Sequence, residues 1–400
     1  MPVNPIAPNE DVQALVDDGF SVVIVDDQYL IVENVPYCPA AGQVAYGDVI
    51  APFSVVNGVS DLKGDHTVWF TGTVPHTSQG RSLQDAMVAD TVESQIADRR
   101  VRCRLSNKPD NQEELARLLQ SYHVKMLHYV KKLSRHAHDI DTTARADYRG
   151  RLQINAKPSV FYYPNTAIAR SGLDAYENKL RQRKVAIVGV GGTGSYILDA
   201  LAKMPITEIV LYDGDRIEPH NVYRMPGALK PGEVFNDVSK AEHLAAHYGQ
   251  MRSGIVGRPV RVDEQNIHEL DDCSFVFIAV DHGPSRGLIA NHLVARGIPF
   301  IDVGIGVDKV PDKIQLHARA RVTLVTPQTA DLVGSLPAAD DTEEGVYNNI
   351  QLVELNALNA VLAVIRYKQF LDFYTDETQA ETIKYKASWS QLMANKRNRA

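Results

Sequence analysis

Cysteine is scarce in this sequence. The 400 residues contain three cysteines, Cys38, Cys103 and Cys273, and no Cys-x-x-Cys pair. Three scattered thiols do not make a disulfide framework, which needs an even number of cysteines at suitable spacing. A structural zinc site built on two Cys-x-x-Cys pairs is excluded as well. The chain is nevertheless long enough for two domains, each with its own hydrophobic core.

Long apolar runs and an excess of positive charge are also missing. No apolar run approaches the roughly 20 residues that cross a bilayer, and the N-terminal Met-Pro-Val-Asn-Pro has no signal-peptide character. A net charge of −7 and a pI near 6.0 argue against nonspecific nucleic-acid binding. The apolar content of 44% and charged content of 23% are typical of soluble proteins. We expect a cytoplasmic protein that binds neither membranes nor nucleic acids.

The most informative stretch begins at Lys184 and ends at Arg224. An apolar run from Val185 to Val188 precedes a glycine-rich turn, a helical pattern and a second apolar run that ends at Asp213. This order predicts a strand, a turn, a helix and a parallel strand. Glycine lets backbone N–H groups approach a phosphate, and the N-terminus of the helix attracts the same anion. An acid about 20 residues further on can bind a ribose hydroxyl, so the stretch predicts a nucleotide site. The candidate phosphate-binding residues are Gly189, Gly191, Gly192 and Gly194.

The glycine pattern alone does not distinguish ATP from NAD. A Gly-x-Gly-x-x-Gly turn followed by an acid is also the fingerprint of dinucleotide-binding proteins. Here further polar and charged side chains follow Asp213 within one short segment, namely Asp215, Asn221 and Arg224. The glycine turn and the helix N-terminus are sufficient to bind a pyrophosphate, whereas binding of a triphosphate needs more positive charge. These residues therefore favour ATP.

This combination resembles the E1-like adenylating enzymes, a family that includes the ThiF, MoeB and HesA proteins and the ubiquitin-activating enzymes. The resemblance covers roughly residues 165 to 370 and is more specific than the glycine turn. It adds an Asp-x-Asp pair, an Asn-x-x-Arg pair, a lysine in a later helix and an aspartate after a strand. The matching residues beyond the glycines are Asp213, Asp215, Asn221, Arg224, Lys240 and Asp281.

The resemblance implies that these residues form the nucleotide site, with Asp215 among those that bind the cofactor. Gly192 would contact the nucleotide phosphates, and Asp213 would hold the ribose. Asn221, Arg224 and Lys240 would surround the triphosphate, with the arginine and the lysine acting in catalysis.

Two further residues are assigned catalytic roles by the same resemblance. Asp281 follows a predicted strand from Ser274 to Val280, and Asp213 follows another strand. Since ligands of open α/β sheets bind beyond the carboxyl ends of the strands, the two acids are expected at one edge. The resemblance implies that Asp281 lies beside Mg²⁺ and the α-phosphate. Arg170, ahead of the first strand, resembles the arginine that such dimers supply to the partner's active site, which predicts a homodimer.

Lys240 also has an argument of its own. Ser239 can cap a helix from Lys240 to Tyr248, which places the lysine in the first turn. A positive charge is unfavourable there because of the helix dipole. The position therefore predicts that Lys240 binds an anion, and a solvated surface lysine is the alternative.

The predicted fold class is α/β, with a Rossmann-like E1/ThiF adenylation domain preceded by a smaller α+β domain. The first 150 residues show antiparallel strand patterns and then helical spacing from Asn111 to Ala144. They resemble an uncharacterised domain found fused in front of bacterial ThiF-like domains, in the segments His66 to Gly72 and Leu105 to Pro109. The predicted ranges are 1–150 for this domain of unknown role, 151–183 for a connector, 184–375 for the ATP-binding adenylation domain and 376–400 for a solvated tail.

Three segments of the adenylation domain complete the predicted organisation. Pro259 to Val262 is predicted to be a strand. The polar, acidic segment from Pro327 to Gly345 is interpreted through the resemblance as the crossover loop that covers a modifier's tail, with a disordered linker as the alternative. Asn348 to Phe370 is predicted to be a long helix that packs in the core or at a dimer interface.

The reaction implied by the resemblance is ATP-dependent adenylation of the C-terminal carboxylate of a ubiquitin-like or sulfur-carrier protein. ATP and Mg²⁺ are the implied cofactors, and an E2-like acceptor is an implied downstream partner. A thioester step is disfavoured because no cysteine follows Cys273, which itself precedes Asp281. Cys38 and Cys103 are weak candidates for it.

Two other classes of function stay open at this point. One is an NAD-binding oxidoreductase, in which Asn221, Arg224 and Lys240 would have no role. The other is a non-catalytic scaffold that has kept the E1-like fold. Loss of ATP binding would favour the scaffold, and dehydrogenase activity would favour the oxidoreductase.

Overall fold

A computed structural model describes residues 9–56, 58–96, 98–147, 150–155, 159–162, 173–181, 183–337 and 350–395. The chain divides into two compact units, Met1–Tyr176 and Glu177–Ala400. Within the described residues, no helix combines the length and the apolar character needed to cross a membrane.

The first unit is built on a mainly antiparallel sheet of seven strands, ordered β7-β8-β6-β3-β2-β1-β9, in which only β1 and β9 run parallel. A separate pair, β4 and β5, forms a small hairpin. The described helices of the first unit are α1 (Glu10–Asp17), α2 (Gln84–Met87), α3 (Gln112–Leu118) and α4 (Tyr122–His138). Its described strands are β1 (Ser21–Val25), β2 (Tyr29–Tyr37), β3 (Ala45–Pro52), β4 (Val55–Val56), β5 (Val59–Ser60), β6 (Val68–Phe70), β7 (Val88–Ile96), β8 (Arg99–Leu105) and β9 (Arg151–Asn155).

Local sequence explains the main elements of this unit. The Asn9 side chain caps α1 by accepting a hydrogen bond from the Asp11 N–H at 2.9 Å. The β1–β2 turn places Asp26 and Asp27 at φ of 54° and 53°, a region that aspartate tolerates better than most residues. Helix α4 is amphipathic, and its buried face packs on β2 within the main core of the unit.

Two parts of this unit differ from the sequence analysis. Strands β7 and β8 were not predicted. Residues 151–155 are assigned by sequence to a connector, but they form β9 and pair with β1. The first unit therefore continues beyond the predicted boundary at residue 150.

The second unit contains an eight-stranded sheet ordered β12-β11-β10-β13-β14-β15-β16-β17. A short helix, α5 (Asp174–Glu177), spans the boundary between the two units. The described α-helices after it are α6 (Gly192–Ala202), α7 (Pro219–Val222), α8 (Pro231–Phe235), α9 (Lys240–Tyr248), α10 (Gly283–Arg296) and α11 (Val353–Phe370). Short 3₁₀ helices cover Ile267–Leu270, Pro327–Ser335 and Ala387–Trp389. The strands are β10 (Lys184–Val188), β11 (Glu208–Tyr212), β12 (Ile255–Arg258), β13 (Phe275–Ile278), β14 (Phe300–Lys309), β15 (Leu316–Val325), β16 (Thr382–Lys386) and β17 (Gln391–Asn395).

The direction of the strands in this sheet indicates where a ligand site is expected. Strands β12, β11, β10, β13 and β14 are parallel, whereas β15, β16 and β17 each pair antiparallel with the strand before them. Chain order proceeds from β10 outward to β11 and β12 on one side, and to β13 and β14 on the other. The switch point therefore lies between β10 and β13, and open α/β sheets bind ligands at the carboxyl ends of the strands there. This unit has the α/β Rossmann-like fold that the sequence predicts.

Several boundaries in the second unit differ from the predictions. The strand predicted at Pro259–Val262 lies four residues earlier, as β12, since Pro259 has no N–H for a ladder hydrogen bond. The prediction of a solvated tail from 376 to 400 is wrong for 382–395, because β16 and β17 extend the sheet. The predicted crossover loop begins with the Pro327–Ser335 3₁₀ helix. Its remainder from 338 to 345 lies outside the described residues.

Candidate active site

The carboxyl ends of β10, β11 and β13 open into one cavity of about 970 Å³. Gly189 follows β10, Asp213 follows β11, and Asp281 comes shortly after β13. All three line the cavity, together with Arg224 and Lys240. The residues that the sequence selects from five separate segments therefore meet at one place.

Backbone crowding explains two of the glycines in the turn. Gly189 has a φ of +86°, and a Cβ there would lie 2.8 Å from the Ala279 carbonyl oxygen. A Cβ on Gly194 would lie only 1.9 Å from the Gly189 carbonyl oxygen. These two positions need glycine to let the turn fold back on itself and pack against the segment after β13.

Of the other two glycines, Gly191 leaves the N-terminus of α6 accessible, and Gly192 leaves room for the side chain of Asn356. A Cβ on Gly191 would meet no atom within 4 Å, and no side chain among the described residues caps the helix at this residue. A Cβ on Gly192 would lie 2.3 Å from Nδ2 of Asn356. Uncapped N–H groups at a helix N-terminus form a site for an anion such as a phosphate.

Asn356 closes the turn from the distant helix α11. Its Oδ1 accepts a hydrogen bond from the Thr193 hydroxyl at 2.9 Å, and the residue is 1% exposed. Its Nδ2 is buried and has no hydrogen-bond partner among the described residues. A buried amide nitrogen without a partner is costly, and an oxygen of a bound ligand would satisfy it.

Asp213 is held in a fixed orientation beside the turn. Its Oδ2 accepts a hydrogen bond from the Val190 N–H at 2.8 Å, and its Oδ1 accepts one from the Asp215 N–H at 2.9 Å. Burial raises the pKa of Asp213 above its usual value, against these hydrogen bonds and the charge of Lys240. Each carboxylate oxygen keeps a further lone pair, which suits a ribose hydroxyl.

Lys240 and Arg261 both bind the next acid, Asp215. The Lys240 Nζ lies 3.0 Å from Asp215 Oδ2, and an Arg261 Nη2 lies 2.9 Å from Oδ1. Burial alone would raise the pKa of Asp215, but the hydrogen bonds from Arg261 and Lys240 outweigh it and hold the pKa below its usual value. Helix α9 and its Ser239 cap are confirmed, and Lys240 is 5% exposed. One carboxylate thus holds two cations beside the cavity.

Arg224 contributes a third positive charge at the same edge of the sheet. Burial lowers the pKa of Arg224, while the charges of Asp281, Asp215 and Asp213 oppose that effect. Its Nε is buried without a hydrogen-bond partner among the described residues. The guanidinium therefore retains a donor for an anion in the cavity.

Asp281 is exposed at the cavity wall, and a neighbouring arginine fixes the backbone before it. Arg286 donates hydrogen bonds to the carbonyl oxygens of Val280 and, at 3.0 Å, of Pro337. Its Nε lies 2.9 Å from the Asp302 carboxylate, which is 0% exposed. The segment that carries Asp281 is therefore held by a buried ion pair.

The structure places the two remaining predicted site residues differently. Asn221 is 1% exposed and does not line the cavity; its Oδ1 accepts the Glu218 N–H at 2.9 Å in the capping box of α7. This capping role does not test the predicted contact of Asn221 with the nucleotide, which stays a prediction. Arg170 lies outside the described residues, so its predicted role stays a prediction.

Sequence reasoning missed Arg261, Arg286 and Asn356. Arg286 lies in the first turn of α10, where a cation opposes the helix dipole, so the argument used for Lys240 would have selected it. Arg261 follows a strand that was predicted in the wrong place. No local signal marks Asn356, because its partner Thr193 is 163 residues away in sequence.

The acids of the cavity suit one type of metal site. No group of three His, Cys, Asp or Glu side chains that could hold a metal ion occurs among the described residues. Mg²⁺ does not need such a group, since it is usually held by one or two carboxylates together with phosphates and water. Asp281 beside a phosphate site fits that requirement.

Comparison of the sequence with known protein families identifies the family of this chain. The ThiF family profile matches residues 162–394, which is more than half of the chain. The chain belongs to the ThiF family. A second family, described as Domain of unknown function (DUF6791), matches residues 10–166. Both resemblances found in the sequence are thereby confirmed.

Curated relatives of this ThiF-family chain share only parts of it. The SAMP-activating enzyme E1 of Haloferax volcanii is 32% identical over 130 residues, which cover 31% of this chain and 46% of the relative. The adenylyltransferase and sulfurtransferase UBA4 of Yarrowia lipolytica is 30% identical over 125 residues, which cover 30% and 31% of the two chains. The chain thus spans less than half of the length of these relatives. Among solved structures, E. coli MccB with ATP has a TM-score of 0.44 at 20% identity, covering 60% of this chain and 73% of that chain.

Proposed function

We propose that this ThiF-family chain is an E1-like adenylyltransferase that activates the C-terminal carboxylate of a ubiquitin-like or sulfur-carrier protein at the expense of ATP. The observation that carries the proposal is the meeting of Arg224, Lys240 and Arg261 with three carboxylates beside the N-terminus of α6. The names of the relatives support it, since they include an E1 enzyme and an adenylyltransferase.

The arrangement favours a triphosphate over the pyrophosphate of a dinucleotide. The glycine turn and α6 already provide the N–H groups that a pyrophosphate needs. The three cations lie beyond that turn, on the segments after β11 and β12 and at the start of α9. Additional phosphate groups would give these cations a ligand, whereas nicotinamide would not.

In the proposed reaction, a carboxylate oxygen of the carrier attacks the α-phosphorus of ATP. The bond between that phosphorus and the bridging oxygen breaks, and pyrophosphate leaves with the electron pair. The products are the acyl-adenylate and pyrophosphate. A C-terminal carboxyl group is already ionised at neutral pH, so no general base is required. The protein's task is to align the two anions and to stabilise the charge on the leaving group.

Mg²⁺ would be held by Asp281 together with phosphate oxygens. When bound, it would neutralise phosphate charge and act as a Lewis acid at the phosphoryl oxygens. Arg224, Lys240 and Arg261 would supply the remaining positive charge. Asp213 would orient the ribose through the carboxylate oxygens that Val190 and Asp215 already fix.

We propose that no cysteine of this chain forms a thioester. Cys38, Cys103 and Cys273 are all buried, with exposures of 0%, 1% and 5%. Burial raises the pKa of each thiol, in the case of Cys273 to about 12. The thiolate is the reactive form, so these thiols are poor nucleophiles. The E2-like acceptor and the homodimer with Arg170 stay predictions from the family resemblance.

The test is ATP–pyrophosphate exchange with the purified chain and small carrier proteins that end in Gly-Gly. We expect carrier-dependent exchange in the wild type. Arg224→Ala and Asp281→Ala should each lower it by at least about 100-fold, since each removes a group that stabilises the transition state. Arg216→Ala is the matched control, because Arg216 lies in the same segment but is half exposed and donates to the Asp237 carbonyl oxygen at 3.0 Å.

Exchange should stay within about twofold of wild type in Arg216→Ala, a surface change away from the cavity. Absence of exchange with every carrier, together with absence of ATP binding, would support the scaffold function instead. Binding of NAD in preference to ATP would support the oxidoreductase and contradict the adenylation proposal.

A further inference from the structure

A basic patch lines the part of the cavity formed by β15 and β16. It consists of Arg319 and Arg321 on β15 and Lys384 and Lys386 on β16, and all four residues line the same cavity as the glycine turn. Arg319 pairs in register with Lys386, and Arg321 pairs with Lys384. Residues two apart on a strand share one face, so the four cations form a two-by-two array on one side of the sheet.

Glycines on β14 make room for the two arginines. Gly306 pairs with Arg319 and Gly304 pairs with Arg321. A Cβ on Gly306 would lie 2.7 Å from Arg319 Nε, and a Cβ on Gly304 would lie 3.2 Å from Arg321 Nη2. The guanidinium groups therefore extend over β14, and larger residues at the two glycine positions would displace them.

In the described part of the chain, the acids of this region are too few to neutralise its cations. Asp302 is shared, with its carboxylate 2.6 Å from Arg321 and 2.9 Å from Arg286. Asp308 pairs with Arg319, but both side chains are more than half exposed. Exposed ion pairs are weak and exchange readily with other partners. The Lys386 Nζ lies 4.0 Å above the Trp389 ring, a contact that leaves its positive charge in place. Among the residues that the structure describes, two carboxylates thus face five cations.

We infer that the basic patch selects carriers whose C-terminal tail has acidic residues in alternate positions. This inference rests on the proposed adenylation, which requires the tail to enter the cavity and bring its terminal carboxylate to ATP. In an extended tail, side chains two residues apart lie about 6.6 Å apart on one face. Arg319 and Arg321 have the same spacing along β15, as do Lys384 and Lys386 along β16.

The charge of the patch would act on both rate and selection. A positive surface increases the association rate of an acidic tail at low ionic strength. The same surface repels a basic tail, and the repulsion of like charges is an effective way to reject a wrong partner. The patch therefore determines which carriers reach the nucleotide site.

The test uses two fluorescein-labelled peptides that end in Ala-Gly-Gly and differ only upstream. One carries two glutamates in alternate positions, and the other carries two lysines there. Fluorescence anisotropy with the full chain gives the Kd of each peptide without ATP turnover. We expect the wild type to bind the glutamate peptide at least 10-fold more tightly than the lysine peptide in low salt, and the ratio to fall as salt is added.

The deciding variant is Lys384→Glu/Lys386→Glu, which we expect to remove or invert this preference. Its matched control is Lys309→Glu/Lys313→Glu, which changes the net charge equally at two exposed lysines that do not line the cavity. Circular dichroism of both variants checks the fold. Equal binding of the two peptides to the wild type, or an unchanged preference in the patch variant, would overturn the inference.

Two further measurements show which process the patch affects. Nucleotide binding tells whether the patch binds phosphate groups, and ATP–pyrophosphate exchange tells whether the chain adenylates a carrier. If the patch variant weakens ATP or pyrophosphate binding as strongly as it weakens glutamate-peptide binding, the patch serves phosphate groups and the inference fails. If peptide selection is observed but no carrier supports exchange, the patch stands and the proposed function fails. If exchange is equally efficient with acidic and basic tails, adenylation stands and the patch has no role in selection.

Discussion

Among the described residues, each unit buries one lysine beside an aspartate, and the two lysines differ in what surrounds them. Lys125 of the first unit is 1% exposed; its Nζ donates to the Asp65 carbonyl oxygen at 2.8 Å and lies 3.7 Å from the Asp65 carboxylate. Lys240 of the second unit is 5% exposed and lies 3.0 Å from Asp215. Burial and an acidic partner are thus common to both.

The difference lies in the cavities that the two lysines border. Lys125 lines a cavity of about 310 Å³, and its hydrogen bond to a backbone carbonyl oxygen ties the loop before β6 to α4. Lys240 lines a cavity three times larger, where Arg224 and Asn356 also present buried nitrogen atoms without partners in the described residues. The unsatisfied donors of Arg224 and Asn356, and not the burial of Lys240 itself, therefore mark this cavity as the candidate ligand site.

The largest expected effect comes from removing each lysine. Lys240→Ala should lower carrier-dependent ATP–pyrophosphate exchange by about 100-fold, because it removes a cation from the proposed triphosphate site. Lys125→Ala should leave exchange per folded molecule within about twofold, since the residue belongs to the other core. Initial rates measured at equal concentrations of folded protein decide this. Equal losses in the two variants would remove the distinction between the lysines.

A second prediction separates the backbone of the nucleotide turn from its charges. Gly194→Ala should destabilise the second unit by about 2–3 kcal/mol, because the new methyl group would collide with the Gly189 carbonyl oxygen. Gly334→Ala is the control, since a Cβ there meets nothing within 4 Å. Hydrogen exchange of β10 and α6, followed by mass spectrometry, measures the free energy of opening. Unchanged protection in Gly194→Ala would mean that the turn relaxes more easily than its contacts indicate.

A third prediction concerns the pH dependence of stability in the first unit. Burial lowers the pKa of Lys125 from 10.5 to about 8. Between these values Lys125 binds more protons in the unfolded chain, so its contribution to the free energy of unfolding should rise as the pH increases from about 8 towards 10. The buried thiols of Cys38 and Cys103, whose pKa values burial raises above 9.0, oppose this rise, so the comparison with a Lys125 variant isolates it. The whole shift corresponds to at most about 3 kcal/mol. Tyr129, whose pKa is raised to about 12 by burial, titrates above this range.

Urea unfolding at several pH values tests this rise. Trp69 and Trp389 are the two tryptophans of the chain, so a Trp389→Phe background leaves Trp69 to report on the first unit. Lys125→Met should remove the rise, whereas Lys131→Met, an exposed position on the same helix, should keep it. A rise that persists without Lys125 would assign it to another group.

Local patterns made the centre of the second unit predictable. The β10–α6–β11 segment combines apolar strands, a glycine turn and helical spacing within 30 residues, and the structure follows it closely. Helix α9 was predicted from end to end because Ser239 caps it and Tyr248 lies in its last turn. These elements depend mainly on neighbours in sequence.

Other elements depend on distant partners or on a weak pattern. Strand β8 buries Val101, Cys103 and Leu105 in alternation with exposed arginines, so its period of two was present but its high charge concealed it. Strand β16 is polar, and it pairs with a strand that ends 57 residues earlier. Its role in the sheet, and hence the basic patch, could not be read from its own residues.

The contact of Asn356 with the glycine turn has a consequence for biosynthesis. The turn is complete in sequence at Gly194, yet the side chain that closes it arrives about 160 residues later, with α11. At about 5–20 residues per second, a ribosome needs roughly 8–30 s to add that length. A nascent chain that ends before α11 therefore lacks the residue that closes the glycine turn, and the turn is completed only after α11 has been synthesised.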